Sequence, residues 1–427
     1  MSKINVFWFR RDLRLEDNAA LFHALQSDLK VLPIFIFDKE ILDQLSDKSD
    51  RRVDYIHQAL TEINNELKDY KTTLKTFYGN PLEVFKQLAE DFEIDTVFCN
   101  RDYEPQAIKR DIEVADYLNK TNIQFSDFKD QVIFEKNDIL KSDNTPYTVF
   151  TPYSKKWKEN LNSIKIKKLD GDFKNFIPLK HENIISLKEI GFEKTDFEFK
   201  KPTLDKKIID SYDKHRDFPA LDHTTRLGIA LRFGTISVRK CVEFATKHNE
   251  TWLNELIWRE FFMQILFHFP YVVKGCFKKK YENIEWRNDE KEFKLWCEGK
   301  TGYPIVDAGM RQLNETGFMH NRVRMITASF LTKHLLVDWR WGEAYFAEKL
   351  LDYELSSNNG NWQWAAGCGC DAAPYFRVFS PDAQTQKFDK DLKYVNQWLP
   401  KDYDSKPIVE HKSARERALA TYKKGLS

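Results

Sequence analysis

A chain of 427 residues is too long for one ordinary core, so two domains are expected. With 42% hydrophobic and 31% charged residues it reads as globular, and a net charge of only +1 excludes a polyanion partner recognised through bulk charge. Any nucleic acid must be met by a local basic patch.

No run approaches the roughly 18 apolar residues a membrane span needs. The start, MSKINVFWFRRDLRLED, has no apolar h-region with a small-residue cleavage site and enters a strand directly. Six cysteines in so long a chain build no disulfide framework, and the C-x-C of Cys368 and Cys370 has no second pair at zinc spacing. A cytoplasmic protein without a metal or a membrane anchor is expected. Aromatic residues make up 14%, with 11 Trp. Most of these rings should serve core packing, but several fall in one C-terminal stretch among polar and small residues, where packing explains less.

In chain order, residues 4–10, 30–37, 73–78 and 95–101 are short, apolar and rich in β-branched and aromatic side chains. Helical patterns alternate with them at 18–26, 51–70, 81–92 and 105–119, and a further strand is expected near 123–128. Pro81 and Pro105 sit where a first helical turn tolerates proline. This alternation predicts a parallel sheet with helices on both faces. No G-x-G-x-x-G follows the first strand, so the usual dinucleotide fingerprint is missing. Residues 135–205 are lysine-rich and irregular, a long connection with some short structure of its own. From about Leu204 onward apolar residues recur at three- and four-residue spacing, which predicts a mostly α domain ending in a charged helix.

Four segments carry chemistry. Thr224, Thr225 and Arg226, with Tyr212 upstream, can satisfy phosphate oxygens, or serve as an N-cap and turn. Glu255 lies one turn from Trp258 in WLNELIWREFF, where a carboxylate is costly unless hydrogen-bonded. The pair suits a flat, hydrogen-bonding base, or else is a solvated face beside a core indole. Asn321, Arg324 and Met325 share a helix face in GFMHNRVRMITASFL, and the amide has either a specific partner or backbone. The stretch 351–381 alternates polar, small and aromatic residues; Asp352 and Glu354 there can accept hydrogen bonds from sugar hydroxyls or a ring imide.

Taken together, these segments resemble the photolyase/cryptochrome family, and most of all the class I photolyases of cyclobutane pyrimidine dimers. The resemblance runs from WFRRDLRLEDN (8–18) through TTRL, WLNELIWREF, GKTGYPIVDAGMRQLNETGFMHNRVRM (299–325) and NNGNWQWAAG to PIVEHKSARE (407–416). It implies an N-terminal doubly wound α/β antenna domain (1–130), an interdomain connection (131–203) and an all-α domain (204–427) that binds FAD and DNA.

By the same resemblance, Tyr212, Thr224, Thr225, Arg226, Leu227 and Gly228 would hold the FAD phosphates, with Gly228 where many relatives have serine. Trp252, Glu255, Arg259 and Phe262 would line the flavin and lesion pocket. Arg324 and Asp352 would pair against the ring, and Asn358 would face flavin N5. Tyr353 and Glu354 would join the cofactor contacts, Glu354 replacing the more usual aspartate. Glu255 would hydrogen-bond the dimer, Trp258 and Trp364 would clamp it above Met325, and Asn321 would position it. Trp286, Trp339 and Trp362 match the family's electron-transfer chain, with Trp296 nearby as a structural residue. Arg216, Arg322, Arg377, Gln384 and Lys387, together with Trp258, would contact DNA.

The activity implied is light-driven repair of dimer-containing DNA by a monomer. A blue-light receptor of the same fold, a (6-4) photolyase and a lesion-binding flavoprotein are the alternatives. An asparagine at 321, beside a single histidine, favours the cyclobutane substrate. Folate-binding relatives carry Asn–Glu where this chain has Gln106 and Ala107. That speaks against a folate antenna and leaves a deazaflavin, a second flavin or none.

Overall fold

The protein is described by a computed structural model covering residues 3–403 and 406–427. It forms two compact units. The first comprises Met1–Glu135, Leu161–Leu204 and Leu227–Lys247; the second comprises Lys136–Asn160, Asp205–Arg226 and His248–Ser427. The stretch 131–203 is thus shared between them, and Leu227–Lys247 groups with the first unit although it lies within 204–427.

The first unit is built on five parallel strands: β1 (Ile4–Phe9), β2 (Lys30–Asp38), β3 (Lys75–Gly79), β4 (Ile94–Asn100) and β5 (Gln124–Phe128). Their order is β3-β2-β1-β4-β5. All six residues of β1 are buried, as a sheet covered on both faces requires. Successive side chains alternate faces. Phe7 and Phe9 enter one core with Leu60 and Ile63 of helix Arg51–Leu67; Val6 and Trp8 enter the other with Phe85, Leu88 and Val114. Asn18, Asp50 and Asn80 cap their helices by accepting from backbone N–H groups. β3 begins at Lys75, two residues later than the sequence pattern suggests. The Thr73 hydroxyl and the Leu74 N–H are bonded to Asn64 Oδ1 at 3.0 and 2.9 Å instead of joining a ladder.

Late residues complete this unit. Leu13 N–H donates to Phe233 O at 3.0 Å. Gly234 has φ +65°, and a Cβ there would meet the Arg11–Asp12 backbone, so only glycine fits. Asp130, 2% exposed, accepts from Arg14 at 2.7 Å and from Arg239 at 2.8 Å. Burial opposes its ionisation, but the two guanidiniums outweigh burial and hold the carboxyl below the usual range. Arg239 Nε also reaches Asp17 Oδ1 at 3.0 Å.

The second unit is helical. Helix Glu250–His268 is buried without interruption from Glu260 to Leu266, so no face of its second half is solvated. It packs tightly on helix Leu355–Ala366, where a Cβ at Gly360 would run into the Phe262 ring. Helix Phe150–Ser163, which begins in the lysine-rich stretch, adds Tyr153 and Trp157 to this unit's interior. Trp157 Nε1 donates to the buried Glu260 at 2.6 Å. The C-terminal helix His411–Leu426 buries Ala414, Ala418 and Tyr422, a four-residue repeat along one face. Lys333, in the π-helical turn Phe330–His334, is 1% exposed. Its Nζ donates to Ala366 O at 2.9 Å and sits 3.6 Å from the Tyr422 ring centroid; burial lowers its pKa to about 7. Among the described residues no helix is long and apolar enough to cross a membrane.

Candidate functional site

The helical unit holds a cavity of about 100 Å³ whose walls come from four places: Asn321, Arg324 and Met325 on helix Asn321–Ser329, Phe346 on helix Trp339–Lys349, the segment Asp352–Glu354, and Asn358, Trp362 and Trp364 on helix Leu355–Ala366. Three- and four-residue spacing brings each helical set to one face. His320 caps the first helix by accepting the Arg322 N–H at Nδ1, 3.2 Å away, which needs a neutral imidazole. Burial, aided by Arg324 and Arg322, lowers its pKa to about 4, so the cap holds at neutral pH.

The cavity's polar groups are held in place. Arg324 Nε donates to Met319 O at 2.7 Å, and its Nη2 donates to both Asp352 oxygens at 3.0 and 3.1 Å. Arg259 and Glu354, both largely buried, approach to 3.2 Å. Asn358 Nδ2 donates to Glu343 O at 3.0 Å; burial pushes the Glu343 carboxyl up. A cation (Arg324), two carboxylates (Asp352 and Glu354) and the amides of Asn321, Asn358 and Asn361 thus stand around apolar surfaces from Phe346, Trp362 and Trp364. That donor and acceptor set fits a flat ring system with hydrogen-bonding edges.

A second group of charges lies beside this helix. The Arg216 guanidinium donates to Glu255 Oε1 and lies over the Tyr212 ring at 5.4 Å. Burial raises the Glu255 pKa, and Arg216 offsets only part of the rise. Arg322 donates to Asp217 Oδ1 at 2.7 Å and covers the Phe388 ring at 4.2 Å. Two of the three arginines expected at DNA, Arg216 and Arg322, are therefore engaged by carboxylates. Trp258 stacks on Phe150, centroids 3.6 Å apart at 4°, with Phe262 at 5.5 Å. Phe150 thus covers one indole face closely, while Phe262 is inclined to the indole by 27°. Trp252 and Phe262 are buried in the same helix.

The remaining expected residues scatter more. Thr224 and Thr225 lie between the turn Pro219–Leu221 and helix Gly228–Phe233; Leu227 and Gly228 count with the first unit. Arg226 has φ +50°, is exposed, and turns its guanidinium to Asp222 at 2.6 Å and to the Phe318 ring at 4.8 Å. Trp286 meets Tyr422 edge-on at 5.8 Å, and Trp339 is buried. Trp362 touches Phe346 at 4.9 Å and Trp296 at 6.1 Å. Arg377 and Lys387 are exposed, and Gln384 is half-buried in helix Pro381–Phe388. Sequence reasoning missed Phe150, hidden in a lysine-rich stretch, and Asp217, which follows Arg216 directly but pairs with a residue 105 positions away.

Comparison with known proteins places this geometry. Residues 5–170 match the DNA photolyase family, and residues 252–404 match the FAD binding domain of DNA photolyase. A deoxyribodipyrimidine photo-lyase of Synechococcus sp. is 36% identical, over 92% of this chain and 87% of that one. The chain belongs to the photolyase/cryptochrome family.

Solved members of the family superpose along the whole length. A bacterial class III photolyase from Agrobacterium tumefaciens matches with TM-score 0.87 at 32% identity, over 100% of this chain and 98% of the other. An archaeal photolyase from Sulfolobus tokodaii, solved with two FAD molecules, matches with TM-score 0.84 at 32% identity, over 99% and 100%. In this photolyase/cryptochrome member the FAD-binding match spans both the cavity and the Glu255 helix. The first unit has a larger cavity, about 320 Å³, at the C-terminal ends of β1, β2 and β4, where the strand order switches direction. Trp8, Asp38, Gln106 and Arg110 help to line it.

Proposed function

We propose that this chain is a deoxyribodipyrimidine photo-lyase that repairs cyclobutane pyrimidine dimers in DNA. The observation that carries the reading is the cavity wall on helix Asn321–Ser329. Asn321 Nδ2 lies 4.0 Å from Met325 Sδ, and both side chains line the cavity. An amide and a thioether bind and orient a base but carry no proton at neutral pH. Splitting a cyclobutane ring by an electron needs none, whereas the (6-4) product needs proton transfer. The class I reading rests on sequence motifs; the structural likeness includes a class III enzyme.

Bound in reduced form, FAD would supply, under blue light, an electron to open the ring. Arg324, Asp352 and Asn358 would hold its ring edge, with Tyr353, Glu354 and Arg259 behind them. Tyr212 and Thr224 to Arg226 would hold its phosphates. Glu255 hydrogen-bonds the extruded dimer, Trp258 and Trp364 cover its faces, and Asn321 and Met325 fix its position. A carboxyl whose pKa burial raises keeps its proton to a higher pH and can donate to a base carbonyl. Trp286, Trp339 and Trp362 keep the cofactor reduced, and Arg216, Arg322, Arg377, Gln384 and Lys387 meet the DNA backbone.

The test is loss of dimers from a thymine-dimer oligonucleotide by photoreduced protein under blue light, with a dark control and a (6-4) substrate alongside. Light-dependent loss of the cyclobutane dimer alone supports the reading. Loss of the (6-4) product alone reassigns the substrate, and loss of neither moves the chain to the receptor branch of the family.

We further propose that the cavity at the β1, β2 and β4 ends takes an antenna chromophore. The guanidinium groups of Arg10 and Arg110 lie 5.0 Å from the Trp8 ring centroid and are both held by Asp111; the apolar walls from Trp8, Phe35 and Ile36 suit a flat ligand. A deazaflavin or a second flavin has that form. Heat release and fluorescence of the bound chromophores decide it, and recovery of one FAD with nothing else counts against the proposal.

A further inference from the structure

Asp217 makes one side-chain hydrogen bond among the described residues, to Arg322, and its side chain is 39% exposed. It receives no backbone N–H, so it neither caps a helix nor closes a turn. Its charge is felt by Arg216, Glu255, Tyr212 and His320, all around the candidate DNA-facing site. Arg322 follows Asn321 directly, and its side chain is only 16% exposed while Nη2 is paired with Asp217. A DNA phosphate approaching that guanidinium meets the Asp217 carboxylate, which competes for Nη2 and repels it.

Resting on the DNA-repair reading above, we propose that Asp217 is an affinity-limiting residue. It acts through Arg322 as an internal competitor for DNA phosphate, and so hastens release of repaired duplex. Base contacts distinguish damaged from intact DNA, whereas this pair sets how tightly any backbone is held. Because every DNA meets the same carboxylate, removing Asp217 tightens binding of damaged and undamaged DNA alike. The neighbouring Arg216–Glu255 pair has the same form, but Glu255 has a second task at the lesion, and Asp217 has none.

The test uses the full-length protein with FAD bound. Affinity for undamaged and dimer-containing duplex is measured across salt for wild type, Asp217→Asn, Arg322→Ala and the double variant. Asp217→Asn is expected to bind undamaged duplex about threefold to tenfold more tightly near physiological salt, with a steeper salt dependence. Multiple-turnover repair should slow under saturating light while single-turnover repair stays at the wild-type level. The gain should vanish in the double variant. A loss of packing would weaken binding, so it cannot imitate this result; Asp217→Ser repeats the measurement with a smaller neutral side chain. Unchanged or weaker binding in both Asp217→Asn and Asp217→Ser overturns the proposal, and so does a gain that survives Arg322→Ala. Wild-type protein that repairs no dimer would overturn the repair reading itself, independently of the Asp217 result.

Discussion

Arg216 donates to the Glu255 carboxylate, so the acid proposed to hydrogen-bond the lesion already has a cation as its partner. Burial raises the Glu255 pKa and Arg216 lowers it, with burial prevailing. Removing Arg216 should therefore raise that pKa further. Because a raised folded-state value favours the protonated form, Arg216→Ala should carry repair yield to higher pH before it falls, even as DNA binding weakens. The measurement is single-turnover repair yield against pH. Glu255→Gln, which cannot ionise, should flatten the profile while FAD stays bound.

Phe150 holds one face of Trp258. Aromatic pairs contribute about 0.5–1.5 kcal/mol beyond their area, which corresponds to roughly twofold to tenfold in a binding constant. Phe150→Leu should lower affinity for dimer-containing oligonucleotide by about that factor and leave undamaged duplex unaffected. A competition assay between the two DNAs reads it directly.

Gly360 lets helices Glu250–His268 and Leu355–Ala366 close on one another. A methyl group there meets the Phe262 ring. Overpacking costs about 1–3 kcal/mol, only partly offset by the better helix propensity of alanine. Gly360→Ala should lower Tm and speed FAD loss together, and thermal melts followed by flavin fluorescence show both.

The expected electron route runs from Trp286 through Trp339 to Trp362, yet the indole that Trp362 meets edge-on is Trp296. If the route is as expected, Trp339→Phe suppresses light-driven reduction of bound FAD and Trp296→Phe leaves it intact. The reverse pattern would assign the first hop to Trp296. Repair by chemically reduced protein should survive in either variant, since it needs no relay.

Lys333 has a folded-state pKa of about 7, against an unfolded value near 10.4. Between those values the unfolded chain binds the extra proton. Stability conferred by the neutral amine is therefore complete above the unfolded pKa and is lost as pH falls towards 7. The slope from this group is roughly 1.4 kcal/mol per pH unit. Lys333→Met should remove that slope, so denaturation of wild type and variant at pH 7.5 and 9 should diverge by the corresponding amount.

Much of the architecture was legible because burial leaves a period. β1 alternates two faces, both apolar, and helix His411–Leu426 repeats every four residues. The displaced start of β3 was not, since one amide, Asn64, captures Thr73 and Leu74 from a distance of about ten residues. The motifs named residues that line one cavity, and Arg324 and Asp352 form an ion pair in its wall. Pairings that depend on long-range packing left no local trace. Nothing near Arg322 in the sequence names Asp217, and nothing in a lysine-rich connection marks Phe150 as the ring beneath Trp258.

The closing of the first unit by Leu227–Lys247 bears on how the chain is made. Asp17 and Asp130 are both buried, and one of their cations is Arg239, more than a hundred residues beyond the last strand. During synthesis the sheet can pair soon after β5 emerges, but among the described residues Asp17 has no cation, and Asp130 only Arg14, until residue 239 leaves the ribosome. A nascent chain halted at residue 210 should therefore remain sensitive to protease in its sheet, and one halted well past 247 should resist. The sheet that is translated first is, on this account, among the last parts to become secure.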